Sequence, residues 1–274
     1  MLDVRRDEDV ERQEPQRGDF TNLLEYGAAH TAWERKLLML VEAAGEDYLA
    51  DIKKQAQETP TGNAIVDAAR EAGVEVVVLP DDEYARRYPN SDGVTDGGVV
   101  YVPTRSIDNA SDPENVDVVV HEYVHALLGG KLDPNQPPLL RPLLVAQAFE
   151  ELGLPPEAGL EIARQTSGWE DNVAVEHVVT AYVTRRMERE REGCPPESPA
   201  EEAAAIQRIS DRELALHLQR ASGGASPPSE AEIVEQWENS PTGQRHPPEG
   251  DTLEEKAAWI EAQLPRFADE AYVD

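Results

Sequence analysis

The chain has 274 residues, with 55 acidic and 25 basic side chains, a net charge of −30 and a single cysteine. One cysteine excludes a disulfide framework and a cysteine-based zinc cluster. The strong negative charge repels the phosphates of nucleic acids and anionic membrane surfaces, so neither is a predicted partner.

The N-terminal region is predicted to have two parts. Residues 1–20 are almost all polar or charged, and they cannot bury enough apolar surface to fold alone, which predicts a disordered or docking arm. Residues 20–59 carry apolar side chains at three- and four-residue spacing and predict a long helix. Because the first residues lack an apolar signal region and no apolar run is long enough to cross a membrane, we expect a soluble, cytoplasmic protein.

Two short strands are predicted in the next part of the chain. Val74–Leu79 and Gly97–Pro103 are valine-rich apolar runs, each followed or ended by proline, as is typical of buried strands. The residues around them predict a chain break at 60–62, a helix at 63–72, a helical turn at 81–87 and a loop at 88–93.

The most informative stretch is Val116–Lys131, which reads VDVVVHEYVHALLGGK. Its apolar residues predict a buried helix that starts near Pro113 and stops at the two glycines. Within it, His121 and His125 lie four residues apart, so a helix places both imidazoles on one face, one turn apart. Glu122 lies beside them. Two histidines and a glutamate at this spacing are typical of a zinc hydrolase.

Two strands followed by a helix with H-E-x-x-H resemble the zincin metallopeptidases over residues 63–190. The resemblance implies a Zn²⁺ ion held by His121 and His125, with Glu122 as the general base that activates a water for attack on a peptide bond. It also implies that the strand before this helix lies at a sheet edge, where an extended substrate adds as a further strand. The substrate-binding residues expected on that strand are Gly98, Val100 and Tyr101.

A catalytic zinc site needs a third protein ligand, and the histidine of the extended pattern H-E-x-x-H-x-x-G-x-x-H is missing. The resemblance then implies a glutamate from a later helix, the gluzincin arrangement. The predicted helix at residues 169–190 has an apolar stripe with Glu176 at its edge, where a carboxylate must be paired or act as a ligand. Glu176 is therefore the predicted third ligand, and the alternatives are Asp171, Glu150, Glu151 and Glu170. His177 is a candidate catalytic group that would polarise the substrate carbonyl.

The remaining chain is predicted to be helical and acidic. Helices are predicted at residues 139–152, 156–165, 199–222, 229–239 and 252–270, with Pro/Gly/Ser-rich connectors between the last three. Ser229 and Thr252 each precede a glutamate three residues later, which is the capping-box pattern. The C-terminal helices thus predict a helical extension that packs on the rest of the protein.

These patterns predict an α+β, mainly helical fold with a zincin-like core. The predicted parts are an arm at 1–20, a metallopeptidase domain at 21–192 and a helical extension at 193–274. The predicted function is zinc-dependent hydrolysis of a peptide or protein substrate. The alternative is a non-catalytic scaffold in a larger complex or a virus particle, with the arm or the extension binding a protein partner. The acidic, lysine-poor composition also resembles that of halophilic proteins from a high-salt cytoplasm.

Overall fold

The computed structural model describes residues 50–89, 91–104, 113–129, 141–169, 172–222 and 228–269. The predicted arm and most of the predicted N-terminal helix lie outside these residues. The described chain forms two compact units. The first unit contains residues 50–56 and Glu75–Glu122, and the second contains Gln57–Val74 and the chain from Tyr123 onward.

Most of the described residues lie in helices, and few lie in strands. After a helical stretch at residues 50–56, the elements follow in the order α1 (Pro60–Ala72), β1 (Glu75–Leu79), α2 (Asp81–Arg87), β2 (Val94–Asp96), β3 (Val99–Pro103), α3 (Pro113–Leu128), α4 (Arg141–Glu151), α5 (Pro156–Gln165), α6 (Asn172–Arg191), α7 (Pro199–Ser222), α8 (Glu230–Asn239), α9 (Pro241–Arg245) and α10 (Leu253–Ala268). The prediction of a mainly helical fold with a small sheet is confirmed.

The first unit is built on a three-stranded sheet with the order β1-β3-β2. Strand β3 pairs in parallel with β1 and antiparallel with β2, so that Thr95 lies opposite Val100. Gly97 and Gly98 connect β2 to β3 with φ angles of 61° and 83°. A two-residue hairpin turn needs this left-handed backbone, which glycine adopts without a clash of a side chain.

The position of β3 corrects one expectation. The predicted strand exists, but it is the central strand of the sheet and not an edge, because residues 94–96 fold back through the glycine turn and pair with it. Both sides of β3 are therefore occupied, and a substrate cannot add to it as a new strand. The substrate-binding roles of Gly98, Val100 and Tyr101 depended on that edge. Strand β2, for whose residues 94–96 no element was predicted, is an edge of the sheet formed by the described residues.

Helix α3 carries the H-E-x-x-H pattern from Pro113 to Leu128. Proline suits the first helical position because its missing N–H would have no partner there. Most of the described side chains along the helix are buried, as its apolar composition predicted: Val116, Val119, Val120, Tyr123, Val124, Leu127 and Leu128. The boundary between the two units falls within this helix: its residues up to Glu122 belong to the first unit and those from Tyr123 to the second. The helix itself is continuous from Pro113 to Leu128.

In the second unit, helix α6 packs against α1, α5 and α7. This position explains why apolar side chains are buried around much of its circumference: Val175, Val178, Val179, Tyr182, Val183 and Met187. Helix α7 also packs on α5 and α10, and α5 packs on α4. None of the described helices combines the length and the apolar character needed to cross a membrane.

Candidate metal centre

The helical geometry of α3 sets the first part of the site. His121 and His125 lie one turn apart on the same continuous helix, so their relative position follows from that helix alone. The residues between and beside them are buried, with Tyr123 at 4% and Val124 at 0% exposure. The side chain of His125 is 12% exposed. An imidazole in such surroundings must have polar partners.

Helix α6 supplies those partners from within the second unit. Oε2 of Glu176 lies 2.8 Å from Nδ1 of His125. The ring of His177 meets the ring of His125 edge-on, with centroids 5.1 Å apart and an interplanar angle of 77°. Two successive residues of α6 therefore contact one histidine of α3, the first through a carboxylate and the second through a ring.

These placements bring three histidines together. The ligand nitrogens of His121, His125 and His177 all lie within 4.8 Å of one another. Among the described residues, this is the group of histidine, cysteine or acidic side chains whose geometry fits a metal ion. Zinc binds an imidazole nitrogen at about 2.1 Å, so small side-chain rotations bring nitrogens at this spacing onto one ion. Three imidazoles are also a donor set that zinc accepts.

Glu122 is held by the first unit. It is 7% exposed, and its Oε2 lies 2.8 Å from Oγ1 of Thr95 on strand β2. The same hydroxyl lies 2.9 Å from the main-chain oxygen of Glu122. These two contacts hold the buried carboxylate of Glu122 on the helix that carries His121 and His125.

A second carboxylate lies behind His177. Oε2 of Glu213, on helix α7, is 4.0 Å from Nδ1 of His177, and Nη1 of Arg220 is 3.2 Å from the same nitrogen. Burial raises the pKa of the Glu213 carboxyl above its ordinary value, while the positive charges of Arg212 and Arg220 oppose that shift. Sequence reasoning missed Glu213. The signal available in the sequence is its spacing, because Glu213 follows the apolar Ile206 and Ile209 at helical intervals and so falls on the same face of the predicted helix.

The other predicted ligands are not part of the histidine group. Glu150 and Glu151 are exposed at the end of α4, and Glu170 and Asp171 lie outside the described residues. Glu176, the predicted third ligand, lies 2.8 Å from His125, whereas the histidine group comprises His121, His125 and His177. The identity of the third ligand therefore stays a prediction, with Glu176 and His177 as adjacent candidates.

Comparisons with known proteins add no relative to this picture. No protein-family model matches the chain. No curated protein and no solved structure gives a significant match. The assignment of a family therefore stays a prediction from the residues, and the function must be argued from the histidine group and its neighbours.

Proposed function

We propose that this chain is a zinc-dependent hydrolase of the zincin type that cleaves peptide bonds. His121, His125 and His177 hold the metal ion, and Glu122 is the general base. The observation that carries the proposal is the convergence of three histidine nitrogens within 4.8 Å beside a buried glutamate. Three protein ligands leave one coordination position for water or substrate, as catalytic zinc sites require.

The donor set favours zinc over harder cations. Imidazoles suit zinc, whereas magnesium and calcium prefer sites built from oxygen ligands. When bound, zinc supplies a Lewis acid that polarises a carbonyl and lowers the pKa of a coordinated water to about 7. Glu122 accepts a proton from the attacking water and returns it to the leaving amine, which completes cleavage of the peptide bond.

Glu176 acts on the site through His125. Its carboxylate accepts a hydrogen bond from Nδ1–H of that ring, which leaves Nε2 as the nitrogen with a lone pair for the ion. His177 differs, because Nη1 of Arg220 lies 3.2 Å from its Nδ1 and a guanidinium can only donate, so this nitrogen accepts. The carboxylate of Glu213 lies 4.0 Å from the same nitrogen, beyond hydrogen-bonding distance. Binding of the ion through Nε2 of His177 would therefore require Nδ1 to exchange the contact with Arg220 for one with an acceptor such as Glu213.

An extended peptide is the substrate class that the first unit fits best. Within the described part of the chain, strand β2 is an edge of the sheet, and its Thr95 touches the proposed base. A peptide that adds to the outer side of β2 gains main-chain hydrogen bonds without a demand on sequence. We therefore propose that the substrate pairs with residues 94–96, next to Glu122, and not with the predicted strand at residues 97–103.

The test is zinc binding and hydrolysis by the full-length chain. Protein stripped with a chelator is titrated with Zn²⁺, and cleavage of a random peptide mixture is followed by mass spectrometry. We expect one bound zinc, which His121→Ala, His125→Ala and His177→Ala lose. The matched control His217→Ala, on helix α7, keeps it. Glu122→Gln should keep zinc and lower turnover by about 100- to 10,000-fold.

Two results would contradict the proposal. Zinc affinity in His177→Ala equal to that in His217→Ala would remove His177 from the ligand set. A chain that binds one zinc but cleaves no peptide, in any salt concentration up to several molar, would support the non-catalytic scaffold instead.

A further inference from the structure

The side chain of Glu122 rests against a short segment that comprises residues 93–95. Oγ1 of Thr95 lies 2.8 Å from Oε2 of the carboxylate and 2.9 Å from the main-chain oxygen of the same residue. Thr95 belongs to β2 and pairs with Val100 of the central strand, so its backbone is fixed by the sheet. A hydroxyl on a paired strand holds a carboxylate more firmly than one on a loop.

Gly93 makes this contact possible by lacking a side chain. A Cβ at this position would lie 2.9 Å from Cγ of Glu122, 2.9 Å from Cγ1 of Val118 and 3.3 Å from Oε1 of Glu122. Carbon atoms at 2.9 Å overlap, since their favourable separation is about 3.5–4.0 Å. The segment can approach helix α3 this closely only because residue 93 is glycine.

We propose that Thr95 is a positioning residue for the general base, and that Gly93 provides the space for it. Thr95 donates its hydroxyl hydrogen to Oε2 of Glu122 and thereby fixes the plane of the carboxylate. Because Glu122, His121 and His125 lie on one helix, fixing the carboxylate plane also fixes the direction of Oε1 of Glu122 relative to the two histidines. This inference rests on the proposed function for its effect on turnover, but the position of Glu122 can be tested without it.

A merely structural bond between strand and helix makes a different prediction. It would affect stability, and its loss would leave the turnover of the folded protein unchanged. Thr104 offers a matched control, because its Oγ1 also donates to a carboxylate of the first unit, that of Asp81, at 3.0 Å. Thr104→Val removes a comparable hydroxyl that donates to Asp81 and not to Glu122.

The experiment compares Thr95→Val, Thr95→Ser, Gly93→Ala and Thr104→Val in the zinc-loaded, full-length protein. We expect kcat to fall by about 10- to 100-fold in Thr95→Val, with zinc content unchanged and KM changed much less. Thr95→Ser keeps the hydroxyl and should restore most of the loss. Gly93→Ala should reduce kcat at least as strongly, and Thr104→Val should leave it at the wild-type level.

A crystal structure of Thr95→Val gives a second readout that needs no activity. We expect the carboxylate of Glu122 to leave its place or to lose defined density, and to return in Thr95→Ser. An unmoved carboxylate, or a kcat in Thr95→Val equal to that of Thr104→Val, would overturn the inference. If the wild-type protein hydrolyses nothing while Glu122 still moves in Thr95→Val, the proposed function fails and the positioning role stands.

Discussion

Glu176, the predicted third ligand, lies beside the histidine group. Its side chain is 10% exposed and its Oε2 meets Nδ1 of His125 at 2.8 Å. In the proposed site this carboxylate orients His125 as a ligand and raises its basicity, and loss of such a partner costs about 10- to 100-fold in metal affinity. The proposal gives the third position in the ligand set to the neighbouring His177.

This difference between a partner and a ligand can be measured. We expect Glu176→Gln to weaken zinc binding by about 10- to 100-fold, because the amide oxygen still accepts a hydrogen bond but carries no charge. Competition with a chromophoric chelator gives the affinity. Glu190→Gln is the control on the same helix, since that carboxylate accepts from Thr61 and not from a histidine. Complete loss of zinc, as in His125→Ala, would identify Glu176 as a direct ligand.

A sequence alone can place the residues of α3 relative to one another, but it cannot place those of α6 relative to α3. Helical periodicity fixes His121, Glu122 and His125 relative to one another, because four residues make about one turn. Successive residues on a helix point about 100° apart, so Glu176 and His177 cannot both face the same neighbour in the same way. Which of them comes close to the other histidines depends on the position of α6 relative to His125, and a single sequence does not contain that long-range contact.

A charged pair joins helix α6 to the residues just before α7. Nη1 and Nη2 of Arg185 each donate to an oxygen of Glu197 at 2.8 Å. These hydrogen bonds hold the pKa of Glu197 below its ordinary value of 4.5, and the charges of Arg185, Arg189 and Arg208 act in the same direction. Both oxygens are engaged by one guanidinium, which is the geometry that makes such pairs strong.

The lowered pKa predicts a pH-dependent contribution to stability. A depressed folded-state pKa stabilises the fold at pH values above the unfolded-state pKa, and this stabilisation is lost as the pH falls through the folded-state pKa. We therefore expect Glu197→Gln to lower the free energy of unfolding at pH 7, and the gap to the wild type to shrink below about pH 4.5. Urea titrations at pH 7 and pH 3.5 measure both values. Glu235→Gln, at an exposed position of α8, controls for the loss of one charge, and an equal gap at both pH values would disprove the linkage.

Most element boundaries were predictable, and the exceptions have local causes. The capping boxes at Ser229 and Thr252 are present, because each side chain accepts from the main chain three residues later while the glutamate there bonds back. Pro60 was predicted to break the chain, but it is the first residue of α1, with Thr59 as the N-cap. Strand β2 was missed because three residues between turn sequences are too short to show a period.

At the scale of the whole second unit, one buried carboxylate joins three helices. Asp211 of α7 is fully buried and accepts from Thr242 at 2.6 Å. It also pairs with Arg245 of α9, whose other nitrogen donates to Gln165 of α5 at 2.8 Å. Helix α9 has only five residues, so it depends on these contacts and not on helix propensity for its stability. Its sequence therefore shows no helical pattern, and residues 240–250 were predicted to be a connector. The sequence predicted that this part of the chain is helical. The contacts of Asp211 with Thr242 and Arg245 could be identified only from the folded structure.

The net charge of −30 acts on the molecule as a whole. Repulsion among like charges disfavours the compact state, and salt shortens its range from about 10 Å at 0.1 M to about 3 Å at 1 M. We therefore expect the Tm to rise with KCl and most of the rise to be complete by about 1 M, as differential scanning calorimetry can show. A Tm that climbs steadily to 3 M would instead indicate salting-out of apolar surface, and a Tm that is flat or falls would mean that the charges do not limit stability.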